Sequence, residues 1–379
     1  MAKYKLGDIA PIQQGNVPES ESYWLLNLDM VESNTGHIYE RLYVPFDKIG
    51  TSTIAFDTNN VLYSKLRPYL NKVVIPDCPG YATSEMLPLK PNKNYITREY
   101  LTYFLRSPKF VAYINEKTSG AKMPRANSSD LKSVEIECPT LENQRHITSE
   151  FDRIISIVRL RQQQLQKLDE LVKARFIELF GTIHDNRFGF GVVTLQDVSA
   201  PIKDGTHQTP TYTTDVENGY KFLSSKDVTT GKVDWSHLKY IPEELHRELY
   251  ARISPRRGDI LLAKNGTTGI AAIVDRDEVF DIYVSLALIR PHGVDPTYLW
   301  AAINAAETKQ QFDASLKGIG VPNLHLGEIK KARIILPPME LQEQFATFVE
   351  QTDKSKVAVQ KALDEAQLLF DSLMQKYFG

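Results

Sequence analysis

The chain contains the same residue pattern twice, and this internal repeat limits the folds that are open to it. KLGDIAPIQQG (residues 5–15) returns as TLQDVSAPIKDG (194–205), with an offset of 189 for the shared Leu and Asp. SDLKSVEIECPTLENQ (129–144) returns as GEIKKARIILPPMELQ (327–342), with an offset of 198. The 379 residues therefore form two copies of a unit of about 190 residues. The copies agree at their edges and differ in their centres, so we expect one scaffold that presents two different surfaces.

Each copy ends in a segment of about 40 residues without proline or glycine, in which seam positions recur at alternating spacings of four and three. This period of 3.5 predicts a coiled coil, and each helix would be about 60 Å long. The second helix must return along the first to use its seam, which predicts antiparallel packing. The alternative, an amphipathic helix lying on its own domain, more usually keeps a period of 3.6. The predicted seams are Ile147, Phe151, Ile154, Val158, Arg161, Leu165, Leu168, Val172, Arg175 and Leu179 in the first helix, and Phe345, Val349, Thr352, Lys356, Val359, Leu363, Ala366, Phe370, Leu373 and Tyr377 in the second.

The globular part of each copy has a mixed pattern. Short β-rich runs occur at 23–28, 60–63, 72–76, 259–263 and 270–274, between clusters of Gly, Pro and Asn. A helical pattern follows at 98–117 and again at 296–316, each succeeded by a glycine-containing loop, at 118–131 and 317–329. We predict an α+β fold in which each domain has a mixed sheet and a helical hairpin. The predicted segments are a domain at 1–140, a helix at 141–182, a domain at 183–337 and a helix at 338–379, with the domains at opposite ends of the helices and related by a pseudo-two-fold axis.

Composition excludes several classes of protein. The 45 Lys and Arg residues against 47 Asp and Glu argue against a uniformly basic binder. No apolar run reaches the roughly 18 residues that span a bilayer, and MAKYKLGDIA lacks the apolar core of a signal peptide, so we expect a cytoplasmic protein. Cys78 and Cys138 have no metal-binding spacing and are expected to be reduced thiols.

The common motifs of catalysis are missing from the sequence. There is no GxxxxGK[ST] loop, no GxGxxG after a strand, no HExxH, no GxSxG and no Asn/Asp-Pro-Pro-Tyr/Phe tetrapeptide of amino-methyltransferases. We therefore expect neither a metal nor a cofactor in this chain. The nearest match is Asp313, Glu328 and Lys330, which resemble the spacing of a PD-(D/E)xK nuclease. Because Glu328 and Lys330 align with Asp130 and Lys132 of the other copy, a helix-start pattern explains them better.

Basic residues are concentrated in one part of the first copy. Residues 61–132 hold 12 Lys and Arg against 5 acids, whereas residues 1–60 hold 4 against 8. Such a basic face suits a phosphate-bearing partner. Within it, YSKLRPYL places Tyr63, Lys65, Arg67 and Tyr69 at alternating positions, which predicts that they share one face of a strand. Lys122 and Arg125 lie in the glycine-containing loop, where a backbone can approach a ligand closely.

Three loops of the second copy carry the side-chain types that read base edges, since Lys or Arg suits guanine and Asn or Gln suits adenine. Any one such residue is more often a solvated loop residue, because loops are polar in any case. The prediction of DNA contacts depends on their convergence in both copies. The candidates are His207 and Gln208, then Lys264, Asn265, Thr267 and Thr268, and finally Lys317 and Asn323.

As a set, these features resemble one family along the whole chain. The double repeat, the junctions CPTLENQ and LPPMELQ before a long helix, the loop GDILLAKNGTTG and the glycine loops before DLK and EIK are similar to the specificity subunit of type I restriction-modification enzymes. The first copy departs from the pattern in NNVLYSKLRPYL, which lacks the glycines of its counterpart, so its loop is expected to differ in shape.

The resemblance implies a non-catalytic protein that binds double-stranded DNA. Each domain would read half of a bipartite target, and the antiparallel helices would set the spacing between the halves. It implies assembly with two modification (methyltransferase) subunits that carry S-adenosylmethionine, and with restriction (translocase-nuclease) subunits that use ATP and Mg²⁺. The alternatives are a single-chain nuclease that uses Asp313, Glu328 and Lys330, and a coiled-coil scaffold that binds only protein.

Overall fold

The chain is described by a computed structural model over residues 2–120, 122–316 and 322–379. Contacts group it into two compact units, Met1–Gln162 with Gln360–Gly379, and Gln163–Val359. Each unit therefore holds one globular part together with half of each long helix. The sequence predicted boundaries between the globular parts and the long helices. The boundaries between the contact units fall within the long helices instead, because each globular part shares a core with the helix segments beside it.

The strands of both units are short. In chain order they are β1 (Ala2–Lys5), β2 (Tyr23–Leu26), β3 (Leu42–Val44), β4 (Thr53–Phe56), β5 (Val61–Ser64), β6 (Val73–Val74), β7 (Gly80–Thr83), β8 (Met86–Leu89), β9 (Glu135–Cys138), β10 (Gly191–Thr194), β11 (Lys203–Asp204), β12 (Tyr220–Leu223), β13 (Lys239–Ile241), β14 (Ile260–Ala263), β15 (Ala271–Ile273), β16 (Phe280–Ile282), β17 (Leu286–Ile289) and β18 (Arg333–Leu336). The five β-rich runs predicted from the sequence coincide with β2, β5, β6, β14 and β15, with ends that differ by up to two residues.

The helices include two of 40 residues each. In chain order they are α1 (Leu6–Ile9), α2 (Arg98–Arg106), α3 (Pro108–Glu116), α4 (Ser128–Ser133), α5 (Leu141–Phe180), α6 (Glu243–Arg252), α7 (Pro296–Asn304), α8 (Ala306–Ala314), α9 (Leu326–Lys331) and α10 (Met339–Phe378). No helix in the described ranges is both long and apolar enough to cross a membrane.

The two units share the topology of two three-stranded sheets, to which β4 is added in the first unit and β11 in the second. In the first unit the strands are ordered β3-β2-β7-β4 and β6-β5-β8, and in the second β13-β12-β16 and β11-β17-β14-β15. The pairs β2–β7 and β12–β16 are parallel, which makes both sheets mixed as predicted. The antiparallel pairs β1–β9 and β10–β18 join the start of each copy to its end. The α+β fold and the internal repeat are thus confirmed in three dimensions.

The centres of the two units differ, as the sequence predicted. Between β3 and β5 the first unit has β4, which pairs with β7 at the sheet edge. At the same place the second unit has α6, which packs on β16. The two units thus share the remaining strands of this sheet and differ in the element beside it, which is a strand in the first unit and a helix in the second.

Each helical pattern forms a pair of helices broken at an extended residue. Ser107 separates α2 from α3 and precedes Pro108, which suits the first turn of a helix but not its interior. Ala305 separates α7 from α8 in the same way. The first helix of each pair is capped by an oxygen side chain: Thr97 accepts from the backbone N–H of Tyr100, and Asp295 accepts from two such groups.

A buried glutamine locks the start of each long helix to its helical pair. The Gln144 amide oxygen accepts from the N–H of Thr97 at 2.9 Å, and its amide nitrogen Nε2 donates to the carbonyls of Pro139 at 3.0 Å and Tyr95 at 2.7 Å. Gln342 accepts from the N–H of Asp295 at 2.9 Å and donates to the carbonyl of Pro337 at 2.8 Å. Because both copies repeat the bond to the capping residue and the bond to the proline carbonyl, the shared Gln in CPTLENQ and LPPMELQ stabilises the common scaffold.

Within each unit the halves of the long helices pack on one another. In the first unit the rings of Phe151 and Phe370 lie 5.4 Å apart. In the second unit the rings of Phe176 and Phe345 lie 5.6 Å apart, while Lys356 Nζ is 2.7 Å from Asp169 Oδ1. Residue numbers rise along one helix as they fall along the other, so the packing is antiparallel. Every predicted seam residue of both helices is buried or half-buried.

The two cysteines are free, with Cys78 half-buried and Cys138 buried. Burial raises the pKa of the Cys138 thiol to about 11, which keeps it in the unreactive protonated form at neutral pH.

Candidate nucleic-acid interface

In the first unit two loops that are distant in sequence are joined by backbone hydrogen bonds. The loop after β5 donates from the N–H of Arg67 to the carbonyl of Pro124 at 2.7 Å. The loop after α3 donates from the N–H of Ala126 to the carbonyl of Lys65 at 2.8 Å. We call these two segments, 65–71 and 119–126, the first loop pair.

The second unit repeats this arrangement. The N–H of Gly266 donates to the carbonyl of Pro322 at 3.2 Å, and the N–H of Leu324 donates to the carbonyl of Lys264 at 2.8 Å. Segments 264–269 and 322–324 form the second loop pair. The two pairs thus share their backbone bonds and differ in side chains, which is the arrangement expected of two surfaces on one scaffold.

The first loop of each pair turns through left-handed backbone at two positions. In the second unit these are Gly266 and Gly269, with φ of 76° and 79°. In the first unit they are Arg67 and Asn71, with φ of 49° and 51°. The first loop is therefore built without glycine and is one residue longer, which confirms the difference in shape that the sequence predicted.

The predicted strand face of Tyr63, Lys65 and Arg67 is wrong. Strand β5 ends at Ser64, and the chain then turns into a 3₁₀ helix at Pro68–Leu70. Tyr63 is only 2% exposed and packs edge-on against Phe110. An aromatic ring in the core cannot reach DNA, so Tyr63 is removed from the candidate contacts. Alternation alone misled here because a left-handed residue ends the strand.

The cations of the first loop pair differ in their surroundings. Arg125 is held by Glu85, with Nη2 3.0 Å from Oε1, so its charge is largely compensated. Lys65 is half-buried, while Arg67 and Lys122 are exposed. Tyr69, the fourth residue of the predicted strand face, is 51% exposed there. Met123, which the sequence reasoning missed, is 44% exposed, and its position beside Lys122 in a loop was the available signal.

In the second loop pair Lys264 has a structural role. It is 6% exposed, and its Nζ lies 3.1 Å from Asp204 Oδ2. Because a buried ammonium needs a partner, Lys264 fixes the loop at 203–208 to the loop after β14. It does not present its charge to solvent, in contrast to the prediction that it contacts DNA.

The loop at 203–208 is held from two further sides. His207 Nε2 lies 3.1 Å from the same Asp204 oxygen. Arg252, the last residue of α6, donates to the carbonyls of Asp204 at 2.8 Å and Gly205 at 2.6 Å. The exposed side chains of His207 and Gln208 therefore lie on an anchored loop. Arg252 was missed by sequence reasoning, because nothing local relates it to a loop almost 50 residues earlier.

The remaining candidates of the second unit lie at its loop pair. Asn265 and Asn323 face each other in an isolated antiparallel bridge, and both are half-buried. Thr267 is exposed, whereas Thr268 is 9% exposed and belongs to the interior. Lys317 lies outside the described residues. The structure therefore brings Asn265, Asn323 and Thr267 together on one loop pair.

The residues of the nuclease alternative have other partners. Asp313 pairs with Lys309 at 3.1 Å on α8, and Glu328 pairs with Lys331 at 3.6 Å on α9. Within residues 2–120, 122–316 and 322–379, no group of three or more His, Cys, Asp or Glu side chains is placed to hold a metal ion. The arrangement does not favour that alternative.

Two repeated α+β units, each with a loop pair that presents different polar side chains on the same backbone bonds, define a protein with two related but distinct loop surfaces. A family model described as the type I restriction modification DNA specificity domain matches residues 1–170 and 189–366. The chain belongs to this family, which confirms the resemblance inferred from the repeat and its junctions.

Similar proteins agree with this assignment. The chain is 25% identical over 312 residues to the type I restriction enzyme MjaVIII specificity subunit of Methanocaldococcus jannaschii, covering 75% of this chain and 71% of that one. It is 24% identical over 300 residues to the type I restriction enzyme EcoBI specificity subunit of Escherichia coli, covering 72% and 63%.

Solved structures share the fold at low identity. A chain in a structure of a type I R-M system has 18% identity and a TM-score of 0.62, over 100% of this chain and 97% of that one. The S subunit of a type I restriction-modification system from M. genitalium has 14% identity and a TM-score of 0.57, over 100% and 96%.

Proposed function

We propose that this chain is the DNA-reading subunit of a type I restriction-modification complex, in which each unit reads one half of a bipartite target. The proposal depends on the two loop pairs. The N–H of Arg67 and the N–H of Gly266 make the same kind of bond to a proline carbonyl, while the side chains around them differ. A frame that is kept while its side chains differ suits two half-sites of different sequence. Specificity then comes from base contacts, and affinity from phosphate contacts.

The long antiparallel helices would set the spacing between the half-sites. The chain would act without catalysis of its own, in the cytoplasm, with double-stranded DNA and other subunits of the complex. We propose two modification subunits that carry S-adenosylmethionine, and restriction subunits that use ATP and Mg²⁺. The family assignment supports this division of labour, in which one chain selects the DNA and others modify or cut it.

The proposal is tested with the full chain in complex with its modification subunits. The target is first read from the methylated motif of the source genome by modification-sensitive sequencing. The affinity is then measured by fluorescence anisotropy for the intact target and for duplexes with either half scrambled. We expect both halves to be required, and the affinity to fall steeply as salt rises. Equal binding to all duplexes at moderate salt would contradict the proposal. Binding without any salt dependence would favour the alternative, a coiled-coil scaffold that binds only protein.

Variants in one unit should affect one half-site. Gln208→Ala, in the anchored loop of the second unit, should weaken the preference for one half while the other half is read as before. Lys309→Ala serves as the control, because this exposed lysine lies on α8 and pairs with Asp313. Equal loss at both halves with Gln208→Ala would contradict the modular reading.

A further inference from the structure

The backbone of Arg67 is strained. Its φ of 49° and ψ of 64° lie in the left-handed region, which is unfavourable for a residue with a β-carbon. The other non-glycine residues with positive φ in the described ranges are Asn34 and Asn71. Asparagine tolerates this conformation through its short polar side chain, but arginine has no such compensation. Arg67 is therefore an outlier among residue types at these positions.

The second unit shows that the frame itself does not need a side chain here. Gly266 holds the equivalent position, with the same bond from its N–H to a proline carbonyl. A β-carbon added at Gly266 would meet nothing within 4 Å. Glycine thus fits this turn without strain. The second unit needs no β-carbon at this position for packing, so the arginine of the first unit adds strain without an evident gain in packing.

The guanidinium of Arg67 is exposed at the end of an anchored backbone. The carbonyl of Arg67 accepts from the N–H of Leu70 at 2.9 Å, and its own N–H is bound to Pro124. In the described part of the chain no carboxylate forms an ion pair with it, unlike Arg125, which is bound to Glu85. The first loop pair therefore holds the Cα of Arg67 in place and leaves its donors available.

Two features of DNA accept a pair of N–H groups from a guanidinium: a phosphate, and the N7 and O6 edge of guanine in the major groove. A phosphate contact tolerates a mobile side chain, and the exposed Lys122 of the same loop pair already supplies such a charge. A base edge requires a fixed direction of approach. The backbone of Arg67 provides it, because two hydrogen bonds hold it in one conformation.

We infer that Arg67 reads a guanine in the half-site of the first unit, donating two hydrogen bonds to N7 and O6. This inference rests on the proposed function and adds to it the base and the residue that reads it. The second loop pair, with glycine at the same position, has no such contact and reads its half-site by other side chains.

The test replaces guanine with 7-deazaguanine, which lacks the N7 acceptor, at single positions of the target. With the wild-type complex, one replacement in the first half-site should weaken binding by about 10- to 100-fold. The Arg67→Gly variant should bind the natural target more weakly and lose its sensitivity to that replacement. It should also unfold at the same temperature as the wild type or a higher one, because glycine relieves the strain.

Lys122→Ala is the matched control, since it removes a neighbouring exposed cation. It should weaken binding to all sequences alike, lower the dependence on salt by about one phosphate contact, and keep the sensitivity to 7-deazaguanine.

Three results would overturn the inference: a first half-site without guanine, a wild-type complex that is indifferent to 7-deazaguanine there, or an Arg67→Gly variant that keeps the sensitivity. In each case a wild-type complex that still prefers its bipartite target leaves the proposed function standing, so the two failures are distinguishable.

Discussion

Asp281 is a buried carboxylate whose charge should destabilise the second unit at neutral pH. It lies on β16, is 1% exposed, and has one oxygen 2.7 Å from Nδ1 of His246 on α6. The other oxygen is buried without a hydrogen-bond partner in the described residues. Burial raises the pKa of Asp281 from 3.8 to about 6, against the opposing effect of His246.

The size and sign of the effect follow from this pKa. A shift from 3.8 to about 6 corresponds to about 3 kcal/mol between the protonated and the charged form. Because the pKa is higher in the folded unit, the folded unit holds the proton more tightly than the unfolded chain. Stability is therefore greatest below about pH 4, falls as the pH rises from about 4 to about 6, and is constant with respect to this group at higher pH.

The substitution Asp281→Asn keeps the shape and removes the charge. Relative to the wild type, the free energy of unfolding of the variant should be higher by about 1 kcal/mol at pH 4.5 and by about 3 kcal/mol at pH 8. The measurement is urea unfolding at pH 4.5, 6 and 8, followed by pulse deuterium labelling of peptides that cover α6 and β16. The reasoning is refuted if the difference between variant and wild type is the same at all three values of pH.

Asp259→Asn is the matched control, because Asp259 is equally buried but has a cationic partner. Its two carboxylate oxygens accept from Nε and Nη2 of Arg290, each at 2.8 Å. Removing this charge leaves the guanidinium without its partner, so the variant should destabilise the unit at pH 8. Opposite signs for the two substitutions at pH 8 would show that the presence of a permanently charged partner such as Arg290, and not burial alone, decides the effect.

Three further predictions concern the frame and the helices. Gln144→Ala should lower the free energy of unfolding of the first unit by about 1–3 kcal/mol, because it leaves the N–H of Thr97 unsatisfied; thermal unfolding of the full chain measures this, and an unchanged midpoint would contradict it. Lys356→Leu should leave the second unit equally stable or more stable in urea, because it replaces a charge in the seam that is paired with Asp169; a loss above about 3 kcal/mol would show that the ion pair stabilises the seam. One heptad inserted at matching positions of α5 and α10 should lengthen the spacer in the methylated motif, read by sequencing, and an unchanged spacer would show that the helices do not set it.

The repeat and the periodic elements could be predicted from the sequence because their signals are regular. The seams of α5 and α10 follow one period for 40 residues each, and burial selects the same positions. The helical pairs follow from their apolar faces and their caps. Regular signals of this kind add up over many residues, so single exceptions such as Arg161 or Lys356 do not hide them.

The loop pairs could not be predicted in the same way, because they depend on bonds between distant residues and on single backbone angles. The alternation of Tyr63, Lys65 and Arg67 predicted a strand, but the left-handed backbone of Arg67 ends it. Lys264 has a side chain of the type that contacts DNA, but it forms a buried ion pair with Asp204, which lies 60 residues earlier in the sequence. Residue type in a loop predicts what a side chain can bind, but its tertiary partners decide whether it is available.

Among the described residues, main-chain hydrogen bonds join the two loops of each pair. Substitution at Leu66, Arg125, Asn265 or Asn323 therefore changes what the surface presents without removing the bonds that shape it. Such a frame can accumulate mutations at its reading positions while folding is maintained, so a new DNA target can arise in a few steps. The bonds that hold the loops are thus separate from the side chains that the loops present.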